Sequence, residues 1–294
     1  MRSSNEILQF INSRPLVILD GAMGTELERR GFQTILPAWS ASANTEAPQL
    51  VKAIHTEYIH AGADVITTNT FRTTSYTFEK LNRGVEAEGL FFRGIQLAID
   101  AAKSNQVLIA GSIAPLEDCY RPDLVPSDQT LHAYHSTTIK WFLKSEVDFI
   151  LLETMNNLAE TQTLSELLVE HSIPFMVSFI PGGPNTLLSG EPLETAIKEI
   201  TPYQPLAMLL NCRPPEELNR SLPHLCSSYS GWAGLYANGS GRFDPDLGWK
   251  WDEVTWEEHY LDYAKKWQQK GIKIIGGCCG TNASLIKKLR ALLP

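Results

Sequence analysis

The sequence predicts a (β/α)8 barrel, an α/β fold built as a single domain over residues 1–294. Three observations carry that expectation. Eight short runs rich in strand-forming residues alternate with longer segments whose apolar residues recur at helical spacing. Each short run opens on consecutive apolar residues, the pattern of a parallel strand covered on both faces. Each then closes on polar residues, which a parallel barrel gathers at one mouth. A chain of 294 residues is an ordinary size for such a barrel, and 43% hydrophobic residues supply its core.

The first run, "LVILDGAMG" (16–24), ends on Asp20 and small residues. Backbone N–H groups around Gly21 to Gly24 suit an anion such as an amino-acid carboxylate. Thr25, followed three residues later by Glu28, gives a capping-box pattern for a short helix closed by Gly31. "DVITTNT" (64–70) closes on Thr67 to Thr70, with Asn69 among them, and "VLIAGSIAP" (107–115) carries Ser112. "DFILLETM" (148–155) ends on Glu153 and Thr154; an ionised carboxylate there needs a cation or solvent, and with Asp20 it can hold a ligand ammonium. "PFMVSFIP" (174–181) brings Ser178, "LAMLLNC" (206–212) brings Asn211 and Cys212, and "WAGLYANG" (232–239) brings Asn238. The last run, "IKIIGGCCG" (272–280), ends on Cys278 and Cys279. Amphipathic segments such as "PQLVKAIHTEYIHAG" and "WEEHYLDYAKKWQQKG" lie between the runs and close on glycine. Residues 116–130, 181–193 and 240–255 read as mouth loops.

The barrel would therefore bring three thiols together from the ends of strands six and eight. Three soft thiolates with an open fourth position suit catalytic Zn²⁺. Adjacent cysteines reach one ion only if the backbone leaves strand geometry, which Gly276, Gly277 and Gly280 permit. Cys119 and Cys226 lack metal-type spacing; the first falls in a mouth loop and the second reads as buried helix filler. "HAYH" (132–135) reads as the surface of an outer helix, and no His-x-His or His-Glu-x-x-His motif suggests a metal hydrolase.

Charge narrows the partners. The chain carries 25 Lys and Arg against 33 Asp and Glu, a net charge of −8, with no basic run. Neither a nucleic-acid nor a membrane partner is expected; small-molecule substrates are. The apolar stretches of the N-terminus are broken by Asn, Glu, Gln and Arg, unlike a signal peptide, and no run is long enough to span a bilayer. Five cysteines, an odd and low count, favour metal binding or reactive thiols in a reducing compartment. A cytoplasmic monomer or weak homo-oligomer is expected.

"LDGAMGTELERRG", "DVITTNTF", "GSIAP", "FILLETM", "LLNCRPP" and "IIGGCCGT" together resemble, in order and over nearly the whole chain, the homocysteine S-methyltransferase family. The resemblance implies zinc on Cys212, Cys278 and Cys279, the homocysteine carboxylate at the Gly21–Ala22 backbone, and its ammonium near Asp20 and Glu153. Asn69 is counted with the substrate-binding set. The sequence departs from the S-methylmethionine-using pattern at "GSIAPLEDCYRPDLVP" and "YANGS". Ending at Pro294 after its eighth helix, it is similar to the short members that use a sulfonium donor, S-methylmethionine or S-adenosylmethionine. Trp39, Tyr76 and Trp249 are candidates for cation–π contact with that donor. The alternatives are transfer to another thiol or selenol, or a transfer-inactive thiol-binding barrel.

Overall fold

The computed structural model describes residues 1–103, 106–244, 248–250 and 256–292. Each of the eight runs holds one strand: β1 (Val17–Ile18), β2 (Val65–Thr67), β3 (Leu108–Ile113), β4 (Phe149–Met155), β5 (Phe175–Phe179), β6 (Ala207–Asn211), β7 (Trp232–Ala237) and β8 (Ile274–Gly277). They pair in parallel in the order β1-β8-β7-β6-β5-β4-β3-β2. A bridge between Leu19 and Val65 draws the remaining edge shut, with Asp20 N–H donating to the Val65 carbonyl at 3.0 Å. Helices α1 (Ser4–Asn12) and α2 (Gly24–Arg29) precede the outer ring. That ring is α3 (Pro48–His60), α4 (Ala87–Ala102), α5 (Asp128–Phe142), α6 (Leu158–Glu170), α7 (Leu193–Ile200), α8 (Pro215–Ser228), α9 (Trp256–Gln269) and α10 (Ala283–Leu292), one after each strand.

Strand alternation explains both the apolar runs and the position of the site. Val17, Val65, Leu108, Phe149, Met176, Leu209 and Ile274 pack in the barrel interior, whereas their neighbours Ile18, Ile66, Ile109, Ile150, Val177, Leu210 and Ile275 pack under the helices. Advancing the interior set in steps of two reaches Thr67, Ser112, Glu153, Ser178, Asn211 and Cys278. The same faces that are apolar low in the barrel are polar at its C-terminal mouth. At the opposite end α1, fixed by a capping box between Ser3 and Glu6, plugs the interior with Ile7 and Ile11.

Three local expectations are corrected. Cys226 is exposed rather than buried, because α8 turns Leu218, Ser221, Leu222 and Leu225 inward and leaves Cys226 on its flank. Of the two histidines in "HAYH", only His132 is on the surface; His135 shares the buried stripe of Leu131, Thr138 and Ile139 and lies 2.8 Å from Glu160 Oε1. Thr25 makes no capping box. Its Oγ1 instead accepts the Gly280 N–H at 2.8 Å, so α2 starts without a side-chain cap, although Gly31 does close it at φ +89°.

Two glycines with opposite surroundings test this packing. A Cβ on Gly276 would lie 2.4 Å from Leu19 Cβ, so Gly276→Ala is expected to cost about 1–3 kcal/mol. A Cβ on Gly89 in α4 meets nothing within 4 Å, and Gly89→Ala should stabilise by about 0.5–1 kcal/mol. Urea denaturation of both variants reads the signs; equal losses would contradict the close approach of β8 to β1.

Candidate active site

The thiol centre forms where β6 and β8 end. Cys212 follows Asn211 with φ 61°, a left-handed backbone that is uncommon outside glycine and turns the chain sharply at the mouth. After Gly277 strand pairing stops, and the Cys278–Gly280 turn is pinned by Cys278 N–H to the Ala237 carbonyl at 2.8 Å and by Gly239 N–H to the Cys279 carbonyl at 2.8 Å. Gly280 has φ 74°, and a Cβ there would strike the Ser240 carbonyl at 2.1 Å. A Cβ on Gly277 would meet Thr281 Oγ1 at 2.3 Å. The glycines thus let two adjacent side chains approach Cys212 together.

The Sγ atoms of Cys212, Cys278 and Cys279 lie within 4.8 Å of one another, with Cys212 to Cys279 at 3.9 Å. Two sulfurs on one tetrahedral zinc are expected about 3.8 Å apart. The thiols also share protons: hydrogen bonds from Cys212 and Cys279 pull Cys278 down to about 5, while the same contacts push Cys279 well up. A bound cation would favour the deprotonated form of all three thiols. The cluster's soft donor set, Cys212 buried and Cys278 and Cys279 half-buried at the mouth, fits a thiophilic divalent metal. Asn211 Nδ2 reaches Cys278 Sγ at 3.8 Å and Thr154 Oγ1 at 2.9 Å, and Tyr120 Oη lies 3.0 Å from Cys212 Sγ.

Beside the thiols are two carboxylates, Asp20 buried and Glu153 half-buried. Asp20 accepts the Thr67 N–H at 2.7 Å and its hydroxyl at 3.0 Å; Glu153 accepts the Ser112 hydroxyl at 2.5 Å. Burial pushes each up to about 7, against these hydrogen bonds, and the charge of Asp20 raises Glu153 further. Thr154, at φ 58°, turns the chain directly after Glu153, as Cys212 does after Asn211. Ala22 N–H donates to Thr281 Oγ1 at 3.1 Å, and that hydroxyl donates to the Cys278 carbonyl at 2.7 Å. One threonine therefore joins the Gly21–Ala22 turn to the thiol turn.

The three cysteines, Asp20, Glu153, Tyr120 and the Gly21–Ala22 turn line a cavity of about 700 Å³. Its outer part includes Phe32, Trp39, Phe71 and Trp249, so two of the three aromatic candidates lie at the mouth. Tyr76 does not; it packs on Tyr134 and donates to Glu117. Gly24 is required beneath Trp39, whose Cζ2 would be 2.2 Å from an added Cβ. Asn69 lines the cavity but its amide is bonded to Ser40 and Asn44. Sequence reasoning missed Tyr120, Arg72, Phe71 and Tyr236. Tyr120 sits in the expected mouth loop beside Cys119, yet nothing in its spacing points to Cys212. Of the 240–255 loop, residues 245–247 and 251–255 lie outside the described residues.

Parallel barrels place chemistry at this end of their strands, and a three-thiol centre there marks the class: a barrel enzyme that works through sulfur on a small molecule. The chain belongs to the homocysteine S-methyltransferase family, whose model matches residues 17–293. It is 29% identical to the homocysteine S-methyltransferase YbgG of Bacillus subtilis, over 98% of this chain and 97% of that one. A selenocysteine Se-methyltransferase of Brassica oleracea is 28% identical over 94% of this chain and 88% of its own length. The metallated form of the homocysteine methyltransferase MmuM from Escherichia coli superposes with a TM-score of 0.83 at 28% identity, covering 96% of this chain and 98% of that structure. No helix among the described residues is long and apolar enough to cross a membrane.

The raised carboxylates give a pH dependence with a defined sign. Their values without burial are 3.8 and 4.5, so their contribution to stability is complete below about pH 4 and is lost as pH rises through about 7. Between pH 5 and 8 the ligand-free protein should lose up to about 3 kcal/mol per carboxylate. Glu153→Gln should flatten that slope in urea denaturation, and an unchanged slope would show that Glu153 is not held in a desolvated site.

Proposed function

We propose that the protein transfers a methyl group from a sulfonium donor, S-methylmethionine or S-adenosylmethionine, to homocysteine, giving methionine, with zinc held by Cys212, Cys278 and Cys279. The clustering of three Sγ atoms within 4.8 Å beside two carboxylates that burial raises to about 7 carries this reading. Zinc bound there would take the substrate sulfur as a further ligand and favour its thiolate, the nucleophilic form, at neutral pH.

The chain's own residues do the positioning. Asp20 and Glu153 receive the homocysteine ammonium, which supplies the cation that two desolvated carboxylates lack. The carboxylate lies against the Gly21–Ala22 backbone, where it shares or displaces the bond from Ala22 N–H to Thr281. Asn69 acts by holding Ser40 and Asn44, and so the adjoining Trp39, at the mouth. Trp39, Phe71 and Trp249 offer aromatic surface to the sulfonium and keep water from the transfer. In the transfer, a carbon–sulfur bond forms to the acceptor as the donor's methyl–sulfur bond breaks, leaving its electron pair on a neutral thioether. No general acid is needed. A selenol acceptor is a second reading, favoured by the similarity to the Brassica Se-methyltransferase, because the site recognises the amino-acid head and a soft nucleophile.

Metal-replete protein incubated with homocysteine and each donor should form methionine with S-methylmethionine or S-adenosylmethionine. Glu153→Gln should weaken homocysteine binding by about 1.5–3 kcal/mol with zinc content unchanged. Turnover with betaine alone would refute the donor, and loss of zinc from Glu153→Gln would place that carboxylate at the metal.

A further inference from the structure

Among the described residues lining the cavity, Arg72 is the sole basic side chain, against four carboxylates, Asp20, Glu28, Asp118 and Glu153. The first two acids of the interior, Asp20 and Glu153, are assigned to the acceptor. Arg72 belongs to no group the proposed reaction has used. It is 6% exposed, and a buried guanidinium is costly unless paired. Its pairing is incomplete. Nη1 donates to the Glu117 carbonyl at 2.6 Å, a neutral acceptor, and Nε is buried with no partner. Nη2 makes a long ion pair with Asp118 Oδ1 at 3.8 Å, beyond hydrogen-bond reach, and that oxygen already accepts the Tyr120 N–H at 2.9 Å. Asp118 is thus met by one long contact rather than by the two parallel N–H groups with which a guanidinium grips a carboxylate, and that two-point mode is unused.

The same short loop connects this guanidinium to the thiol centre. Residues 117 and 118 face Arg72, and Tyr120 touches Cys212 Sγ at 3.0 Å. A ligand carboxylate on Arg72 would therefore hold the rest of its molecule beside the sulfur cluster, within a cavity that is otherwise acidic and aromatic. The neighbouring Arg72 and Asp118 match, in opposite sense, the carboxylate and ammonium of an α-amino acid.

We propose that Arg72 binds the α-carboxylate of the methyl donor, so that the enzyme selects sulfonium compounds carrying an amino-acid head over simple alkyl sulfoniums. This inference rests on the methyl-transfer reading above and adds the donor's recognition group. Arg72 is a specificity residue in it, distinct from the acceptor site at Asp20 and Glu153.

The test measures binding by calorimetry on zinc-loaded protein, with S-methylmethionine and its decarboxylated counterpart, (3-aminopropyl)dimethylsulfonium, as probes. Wild-type protein should bind S-methylmethionine about 10–100-fold more tightly. Arg72→Gln should abolish that preference by weakening S-methylmethionine alone, and Arg72→Lys should restore part of it; homocysteine affinity and zinc content should stay as in wild type. Equal weakening of both probes by Arg72→Gln would make Arg72 a fastener of the 117–120 loop, and weakening of homocysteine would assign it to the acceptor; either overturns the proposal. Equal binding of both probes to wild-type protein overturns it without any variant. Methionine formation, assayed separately, reports on the methyl-transfer reading, so a protein that binds with this preference but does not turn over refutes that reading only.

Discussion

Holding three cysteine sulfurs within 4.8 Å is the constraint that the mouth of this barrel is built around. Desolvation and mutual repulsion oppose three thiolates at one point, and the chain answers with rigid backbone on every side. Cys212 is fixed by a left-handed turn at the end of β6, and Cys278 and Cys279 by a turn that hydrogen-bonds to the end of β7. Close glycine contacts remove any freedom of β8 to retreat: Gly276 lies on Leu19, and Gly280 under the Ser240 carbonyl. Parallel strand order does the rest, since β7 separates β6 from β8 and leaves their ends one strand apart.

The charge distribution follows from the same geometry. Cys212, Cys278, Asp20 and Glu153 share one space, in which Asp20 and Cys212 raise the cost of ionising Glu153, and Glu153 that of Cys278. A cation held by the thiols and a second held by the carboxylates would relieve the two halves of that cost separately. Thr281, bonded to both Ala22 and Cys278, ties the turn beside Asp20 to the thiol turn, so the two halves are mechanically joined. The preorganisation is electrostatic, and it exists before any ligand arrives.

Much of this was legible in the sequence because a parallel strand has only two faces. Apolar runs ending in Glu153, Asn211 and Cys212, or Cys278 gave both the barrel and the residues at its mouth. What depended on contacts between distant segments was not legible. Thr25 looked like a helix cap until the Gly280 amide, 255 residues away, took its oxygen. His135 looked like surface because its partner, Glu160, comes from the next helix. Tyr120 and Arg72 are placed by how residues 117–120 fold over the mouth, which no local periodicity encodes.

The central claim is that Cys212, Cys278 and Cys279 act as one metal centre although strand order and not sequence proximity unites them. Zinc K-edge X-ray absorption on the loaded protein measures this directly, because it counts sulfur neighbours of the ion. Three sulfurs at about 2.3 Å are expected, falling to two in Cys212→Ser. A shell made mainly of nitrogen and oxygen, or a sulfur count that Cys212→Ser leaves unchanged, would contradict the account.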